Sequence, residues 1–515
     1  MAPIPGARYS LAPMLRVSAP FSAPFHGALV PSIVLAAALL SGTARSQSDA
    51  PLELSLEAAI EAALGNDLGL KIEEVAAEVA SFTFAGSWGR FDPVFRASAS
   101  YTNSEVQQFV FAGNGFQTIS FDIENKSLSS GIDYPLTTGG TLSASIDYSR
   151  TDGFNAPLPV NSALALAFNQ PLLRGRGESY ATSQQRENEL RYRRAVERLR
   201  QSRQTLHRQV SDAYWELVAA QEQLRVASET LALGREQLDQ NRRRLAAGVG
   251  TEVEVLQADT NVAQRIEQQL QRQVAVQNAE DRLKGLMFPG KSRDSWEREL
   301  RLTSMLPEDE PEPSGDWSAS VAVALARRSE LRQQVLEIEA AEQGVIRAAS
   351  ERRPALDFSL SARSAAQSAN EGDSIDSVFG WELPATTVSL AFSTPIGNRA
   401  AHNAELSARA AVRSARLTYD RLESQIVEEV RVAERNVRYQ LQAVRAAAAS
   451  RELARRQLAA EQARYREGLS TNFQVLEFQQ QLAESLYSHT LARSNLVKAL
   501  TALSFAEGVL GETTR

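Results

Sequence analysis

The chain has 515 residues, a formal net charge of −7 and no cysteine, with 43% hydrophobic and 23% charged residues. That balance is ordinary for a folded protein, and the lack of cysteine excludes disulfides, thiol catalysis, cysteine-held metals and a lipid anchor on an N-terminal cysteine. Lysine is confined to Lys71, Lys126, Lys284, Lys291 and Lys498, and no basic stretch is interleaved with aromatics, so nucleic acid is not an expected partner.

In chain order, residues 1–46 read as a secretory signal. Arg8 and Arg16 precede an apolar run from Ala28 to Leu40, and small residues follow at Gly42-Thr43-Ala44. Its removal takes three arginines and no acids, leaving a net charge near −10. No later apolar run reaches the roughly 20 residues a spanning helix needs. Any membrane crossing must therefore use strands.

Residues 47–286 form a first repeat and 317–510 a second, joined by a Pro/Glu/Asp-rich linker over 287–316 and followed by a short tail, 511–515. Each repeat opens on an expected helix, Leu54–Ser87 or Trp317–Arg352. Each then meets a proline that favours extended backbone just before it, at Pro93 or Pro354. Strand patterns follow over 91–170 and 354–394. A long helix, a glycine turn and a return helix complete each repeat. The register is explicit: Arg244, Gly248, Thr251, Val255 and Leu256 match Arg464, Gly468, Thr471, Val475 and Leu476, 220 residues on. Phe168 and Pro171 likewise match Phe392 and Pro395.

The long helices carry heptads. Val210, Leu217, Leu224, Leu231, Leu238 and Leu245 recur every seven residues, with Ala213, Ala220 and Ala227 in the second column. The second repeat keeps the columns as Val430, Val437, Val444, Arg451, Leu458 and Tyr465. The return helices repeat too, with Gln269 and His489 at the same polar seam position. A helix from Glu178 to Ala246 rises 1.5 Å per residue to roughly 100 Å, a length that suits a rod or tunnel better than a globular enzyme.

The strand segments alternate, as in Thr141-Leu-Ser-Ala-Ser-Ile-Asp-Tyr148 and Ala163-Leu-Ala-Leu-Ala-Phe168. Period-2 stretches with aromatics near their ends fit a transmembrane β-barrel. The count is four to six strands per chain, below the roughly eight that close a small barrel. Lipid does not tolerate open edges, so several chains would share one barrel. The stretch Asp133–Arg150 around Thr137-Thr-Gly-Gly140 is open to three readings: a bent continuation, an extracellular flap or two further barrel strands.

The duplicated turns and the junctions Gln170-Pro171-Leu172 and Thr394-Pro395-Ile396, in register with heptads and an export signal, resemble those of the TolC family of outer-membrane efflux channels. The resemblance covers Leu52 to Leu510. It implies a mixed, mostly α fold: two tandem coiled-coil hairpins with inserted transmembrane strands, assembled as a homotrimer into one β-barrel and an α-helical periplasmic tunnel. It also implies the outer membrane of a Gram-negative bacterium, no cofactor, and a passive duct for efflux or type I secretion that docks a periplasmic adaptor and an inner-membrane pump. Carried over by position, Gly248, Val249, Gly250 and Thr251, with Gly468, Leu469, Ser470 and Thr471, are the tips that meet the adaptor. Their residue types also suit plain turn chemistry. Gln474 and Glu477 stand where the family often narrows its mouth with acids one turn apart, and Glu254 holds the place of Gln474 in the first repeat; some members carry a basic residue where this chain has Ser470, so the usual charge pattern is altered here. Twelve strands per trimer is the family standard.

The competing expectations are a periplasmic adaptor and a poreless coiled-coil protein. Tandem hairpins with inserted strands argue against both. Catalysis is not expected: His207, His402 and His489 are isolated, and no zinc, nucleotide or nucleophile motif is present.

Overall fold

The computed structural model describes residues 52–511, apart from 112, 114, 154–158, 291–292 and 308–316. The expected signal segment, most of the acidic linker and the tail beyond Gly511 lie outside the described residues. The chain opens with β1 (Leu52–Leu54), α1 (Leu56–Asn66) and α2 (Leu68–Ser87), then a 3-10 turn and the strands β2 (Val94–Phe111), β3 (Phe116–Pro135), β4 (Thr141–Asp152) and β5 (Val160–Pro171). A short α3 (Glu178–Ala181) leads into α4 (Ser183–Ala246) and the return helix α5 (Glu252–Met287). The connection between repeats holds α6 (Arg293–Glu297) and β6 (Leu300–Leu302). The second repeat runs α7 (Trp317–Arg327), α8 (Ser329–Glu351), β7 (Ala355–Ser368), α9 (Glu371–Phe379), β8 (Pro384–Ser393), α10 (Arg399–Arg466) and α11 (Asn472–Ala506).

Three helices differ from expectation. The segment Leu54–Ser87 is two helices because Asp67 ends α1 and caps α2, its Oδ1 accepting from the Leu70 amide at 2.7 Å. The segment Trp317–Arg352 also divides in two, at Arg328, where no side chain caps α8. The long helix begins at Ser183, with Glu178–Ala181 a separate turn before it.

Helices α4 and α10, of 64 and 68 residues, run roughly 100 Å each and belong to two stacked rows. Towards the strands the row is α2, α4, α8, α10; towards the turns it is α5, α4, α11, α10. The heptad columns form the seams. Val210, Leu217, Leu231 and Leu238 are buried on α4, and Val430, Val437, Val444 and Leu458 on α10. Small partners such as Ala213 and Ala227 let the axes approach. Where the rows meet, β1 pairs in parallel with β6, Leu52 beside Leu300 and Leu54 beside Leu302. The fully buried Tyr214 pins this junction: its hydroxyl donates to the Leu54 carbonyl and accepts from the Ser304 amide, both at 3.1 Å.

At the other end, six strands among the described residues form one antiparallel sheet in the order β2-β3-β4-β5-β7-β8. The stretch around Thr137–Gly140 is the short turn joining β3 to β4, two further strands of the same sheet. The register sorts the side chains into two faces. One carries Phe95, Ala97, Ala99, Leu128, Ile132, Leu142, Ile146, Leu164, Leu166, Phe358, Leu360, Val388 and Leu390. The other carries Ser98, Ser100, Ser127, Ser129, Ser143, Ser145, Asn161, Ala165, Ser359, Ser361, Thr387 and Ser389. An apolar face of this kind beside a polar one is the pattern of a strand between lipid and a wet lumen. Among the described residues no helix is long and apolar enough to cross a membrane.

Candidate functional site at the hairpin tips

Each long helix ends in the same way. Gly248, at φ +74°, donates its amide to the Leu245 carbonyl and Val249 donates to Arg244, both at 3.0 Å. Gly468, at φ +71°, donates to Tyr465 at 3.1 Å and Leu469 donates to Arg464 at 2.9 Å. This paired pattern needs a left-handed residue, which glycine adopts without steric penalty. Thr251 then opens α5 with a capping box: its hydroxyl accepts from the Glu254 amide at 3.3 Å and the Glu254 carboxylate accepts from the Thr251 amide at 3.0 Å. Thr471 and Gln474 repeat it at the start of α11, at 3.4 Å each way.

The two turns differ in chemical type at Gly250 and Ser470. A Cβ on Gly250 would lie 2.9 Å from the Leu245 amide nitrogen, so a side chain there would force the backbone of this turn to shift. Ser470 stands in the matching place and uses its hydroxyl, which bonds Glu461 and lies 2.9 Å from Gln474 Oε1. The turns also present apolar side chains to solvent: Val249 is 67% exposed and Leu469 70%. Val253 and Phe473, one turn further on, are exposed as well.

Between the tips lies a buried amide network that sequence reading passed over. Asn472 is 1% exposed and joins the second turn to the first repeat. Its Oδ1 accepts from Asn241 at 2.8 Å and from Gln237 at 3.1 Å, and its Nδ2 donates to the Glu254 carbonyl at 3.3 Å. Asn241 donates to the same carbonyl at 3.1 Å, and the Tyr465 hydroxyl donates to Asn241 Oδ1 at 3.1 Å. Burial pushes the Tyr465 phenol up from its usual range, so it keeps the proton it donates. One level higher, the buried Arg265 reaches the Thr230 carbonyl at 3.2 Å and Gln479 at 3.5 Å, again bridging the repeats. Burial holds its guanidinium below the usual arginine value.

The three acidic-mouth positions fare differently. Glu254 and Gln474 are engaged in capping. Glu477 is exposed and lines a groove of about 690 Å³ between α5 and α11, with Leu256, Phe473, Gln480 and Gln481. Glu484, seven residues further along α11, lines the same groove. At the shared polar seam position, Gln269 donates to Ser228 at 3.0 Å, while His489 Nδ1 faces Arg451 at 3.3 Å. Burial, with Arg451 and Arg493 nearby, holds the imidazole below its usual pKa.

The fold is similar to that of the outer-membrane channel OprN, with a TM-score of 0.65 at 18% identity over 88% of this chain and 89% of that one. The CmeC outer membrane channel of Campylobacter jejuni scores 0.64 at 16% identity, over 89% of this chain and 87% of its own. The open-state MtrE outer membrane channel of Neisseria gonorrhoeae scores 0.61 at 15% identity, over 89% and 91%. At such identities the likeness concerns the fold. No curated protein matches the sequence. The family model for outer membrane efflux protein matches residues 161–287 and 321–509, more than half of the chain. It spans both hairpins with β5, β7 and β8, and on that match the chain belongs to the outer membrane efflux protein family.

Proposed function

We propose that three copies of this chain form one duct, an outer-membrane barrel continued by a helical tunnel whose tips dock a periplasmic adaptor linked to an inner-membrane pump. The observation that carries this reading is the six-stranded sheet. It has one apolar face and two unpaired edges, β2 and β8, and a lone open sheet is not tolerated in lipid. Three copies would give eighteen strands, against the family's twelve, a size at which barrels enclose an aqueous channel.

The helices support the same assembly. Leu68, Ile72, Val75, Val79 and Phe82 form an exposed apolar stripe along α2, and Leu256, Leu270 and Val274 another along α5. Both lie at one edge of the helix rows. At the other edge α10 exposes Leu417, Val432, Tyr439 and Leu453. Apolar edges on both sides suit a closed ring of copies. No energy-coupling chemistry is required of the chain: the duct is passive, and selectivity would arise at the mouth, where Glu477 and Glu484 favour cations over anions. Val249, Leu469, Val253 and Phe473 offer the adaptor an apolar knob.

The test is purification from outer membranes in detergent, followed by planar-bilayer recording. A heat-sensitive trimer with cation-preferring pores is expected. A soluble monomer without conductance would refute the duct.

A further inference from the structure

The β2–β3 hairpin outruns the rest of the sheet. Pairing of β3 with β4 stops at Glu124 opposite Asp152, while β2 and β3 stay paired up to Phe111 and Phe116. Eight rungs, from Ser104–Ile123 to Phe111–Phe116, therefore stand beyond the sheet, about 26 Å at 3.3 Å per residue.

The polarity of the hairpin inverts at this level. Below it, the outward face is apolar up to Tyr101, where Lys126 lies over the ring at 5.9 Å and pairs with Glu124 at 3.3 Å, marking the water boundary. Above it, the outward face carries Glu105, Gln107, Ser120 and Asp122. The face that is polar in the sheet becomes largely apolar, with Val106, Ile119, Phe121 and Ile123 beside Ser104, Gln108 and Gln117. Ile123 already packs over Gly153, which leaves no room for a Cβ without a shift. At the far end Phe109, Phe111 and Phe116 are 75%, 65% and 77% exposed.

A hairpin standing straight up in water would gain nothing from this inversion, because both faces would be solvated. A hairpin leaning over the lumen would turn its apolar face inward and keep its charges outward. The reach fits. Eighteen strands about 4.8 Å apart, tilted about 40°, enclose a barrel of radius about 18 Å. An overhang of about 26 Å is long enough, even leaning obliquely, to reach the axis.

We infer that the apolar inner face and aromatic end of this hairpin dock against the same hairpins of the two other copies, forming a cap of aromatic side chains over the outer mouth of the duct. The inference rests on the trimeric reading above. At the axis three ends meet, which explains why aromatics return to the outward face only there.

The chain has no cysteine, so Phe109→Cys places a single thiol per copy. A short bismaleimide applied to outer membranes should link two copies into a covalent dimer on denaturing gels. Thr387→Cys, on the polar face of β8 in mid-barrel, should not link, because three such thiols would lie about 30 Å apart in a barrel of that radius. The combined Phe109→Ser, Phe111→Ser, Phe116→Ser variant should raise single-channel conductance. An unheated trimer band with no Phe109→Cys dimer, or with unchanged conductance in the serine variant, overturns the cap and leaves the duct standing. Loss of the trimer band in the unmodified protein overturns the duct itself, and the cap with it.

Discussion

Replacing Asn472 with alanine removes the residue that holds the second turn to the first repeat. Three hydrogen bonds go with it: from Asn241 at 2.8 Å, from Gln237 at 3.1 Å and to the Glu254 carbonyl at 3.3 Å. The damage is partly absorbed. Asn241 still donates to the Glu254 carbonyl, and Gln237 still donates to Asn241 Oδ1 at 3.1 Å. A net loss of about 1 kcal/mol per bond, less what the survivors retain, comes to about 2–3 kcal/mol. At 1.4 kcal/mol per decade, tip separation becomes roughly 30- to 150-fold more frequent per copy. Bilayer recording of the trimer should show longer or larger openings. Asn241→Ala should act in the same direction, and the double variant should fall short of the sum because the two share one network. Unchanged openings in a variant that still runs as a trimer would show that these amides do not hold the mouth shut.

Glu477→Gln should weaken cation preference, and Glu484→Gln beside it should deepen the loss; reversal potentials in a salt gradient measure both, and an unmoved potential removes Glu477 from the conduction path. The depressed pKa of His489 means that the unfolded chain takes up its proton first as pH falls. Its contribution is therefore fully present above about pH 6.5 and is lost on acidification. His489→Gln should make trimer dissociation temperature less sensitive between pH 7 and 5. His207 shifts in the same direction, by burial, so part of the slope persists; an unaltered slope would clear His489. Tyr214→Phe strands the Ser304 amide, while the Leu54 carbonyl keeps its bond from the Thr303 amide at 3.0 Å; the cost is about 1–3 kcal/mol, read as a lowered dissociation temperature with the pore properties unchanged.

Much of this molecule is legible in its sequence because its large features are periodic. The seven-residue columns from Val210 and Val430 set the helix seams, and alternation from Thr141 to Tyr148 sets two sheet faces. Both rest on local spacing. The missed features rest on distant partners or on competing local signals. The parallel pairing of Leu52–Leu54 with Leu300–Leu302 joins residues far apart, and three residues carry no period. Gln237, Asn241 and Asn472 look like solvated amides until the hairpins come together and bury them. The break at Asp67 was foreshadowed by Gly65-Asn66-Asp67, but the apolar spacing on either side masked it. Helix α9 buries only Ser374 and Val378, too little for a helical period to show.

The two stacked rows of helices have a mechanical consequence. Among the described residues, only α4 and α10 pass uninterrupted from the turns to the sheet. The other places in the rows change occupant halfway, α5 giving way to α2 and α11 to α8. A pull or twist applied at the tips therefore reaches the membrane end through two stiff struts per copy. The remaining helices hand over at the equatorial junction that the β1–β6 pairing and Tyr214 hold together. Torsion at the turns is therefore carried to the strands by α4 and α10 and resisted midway by that pinned junction.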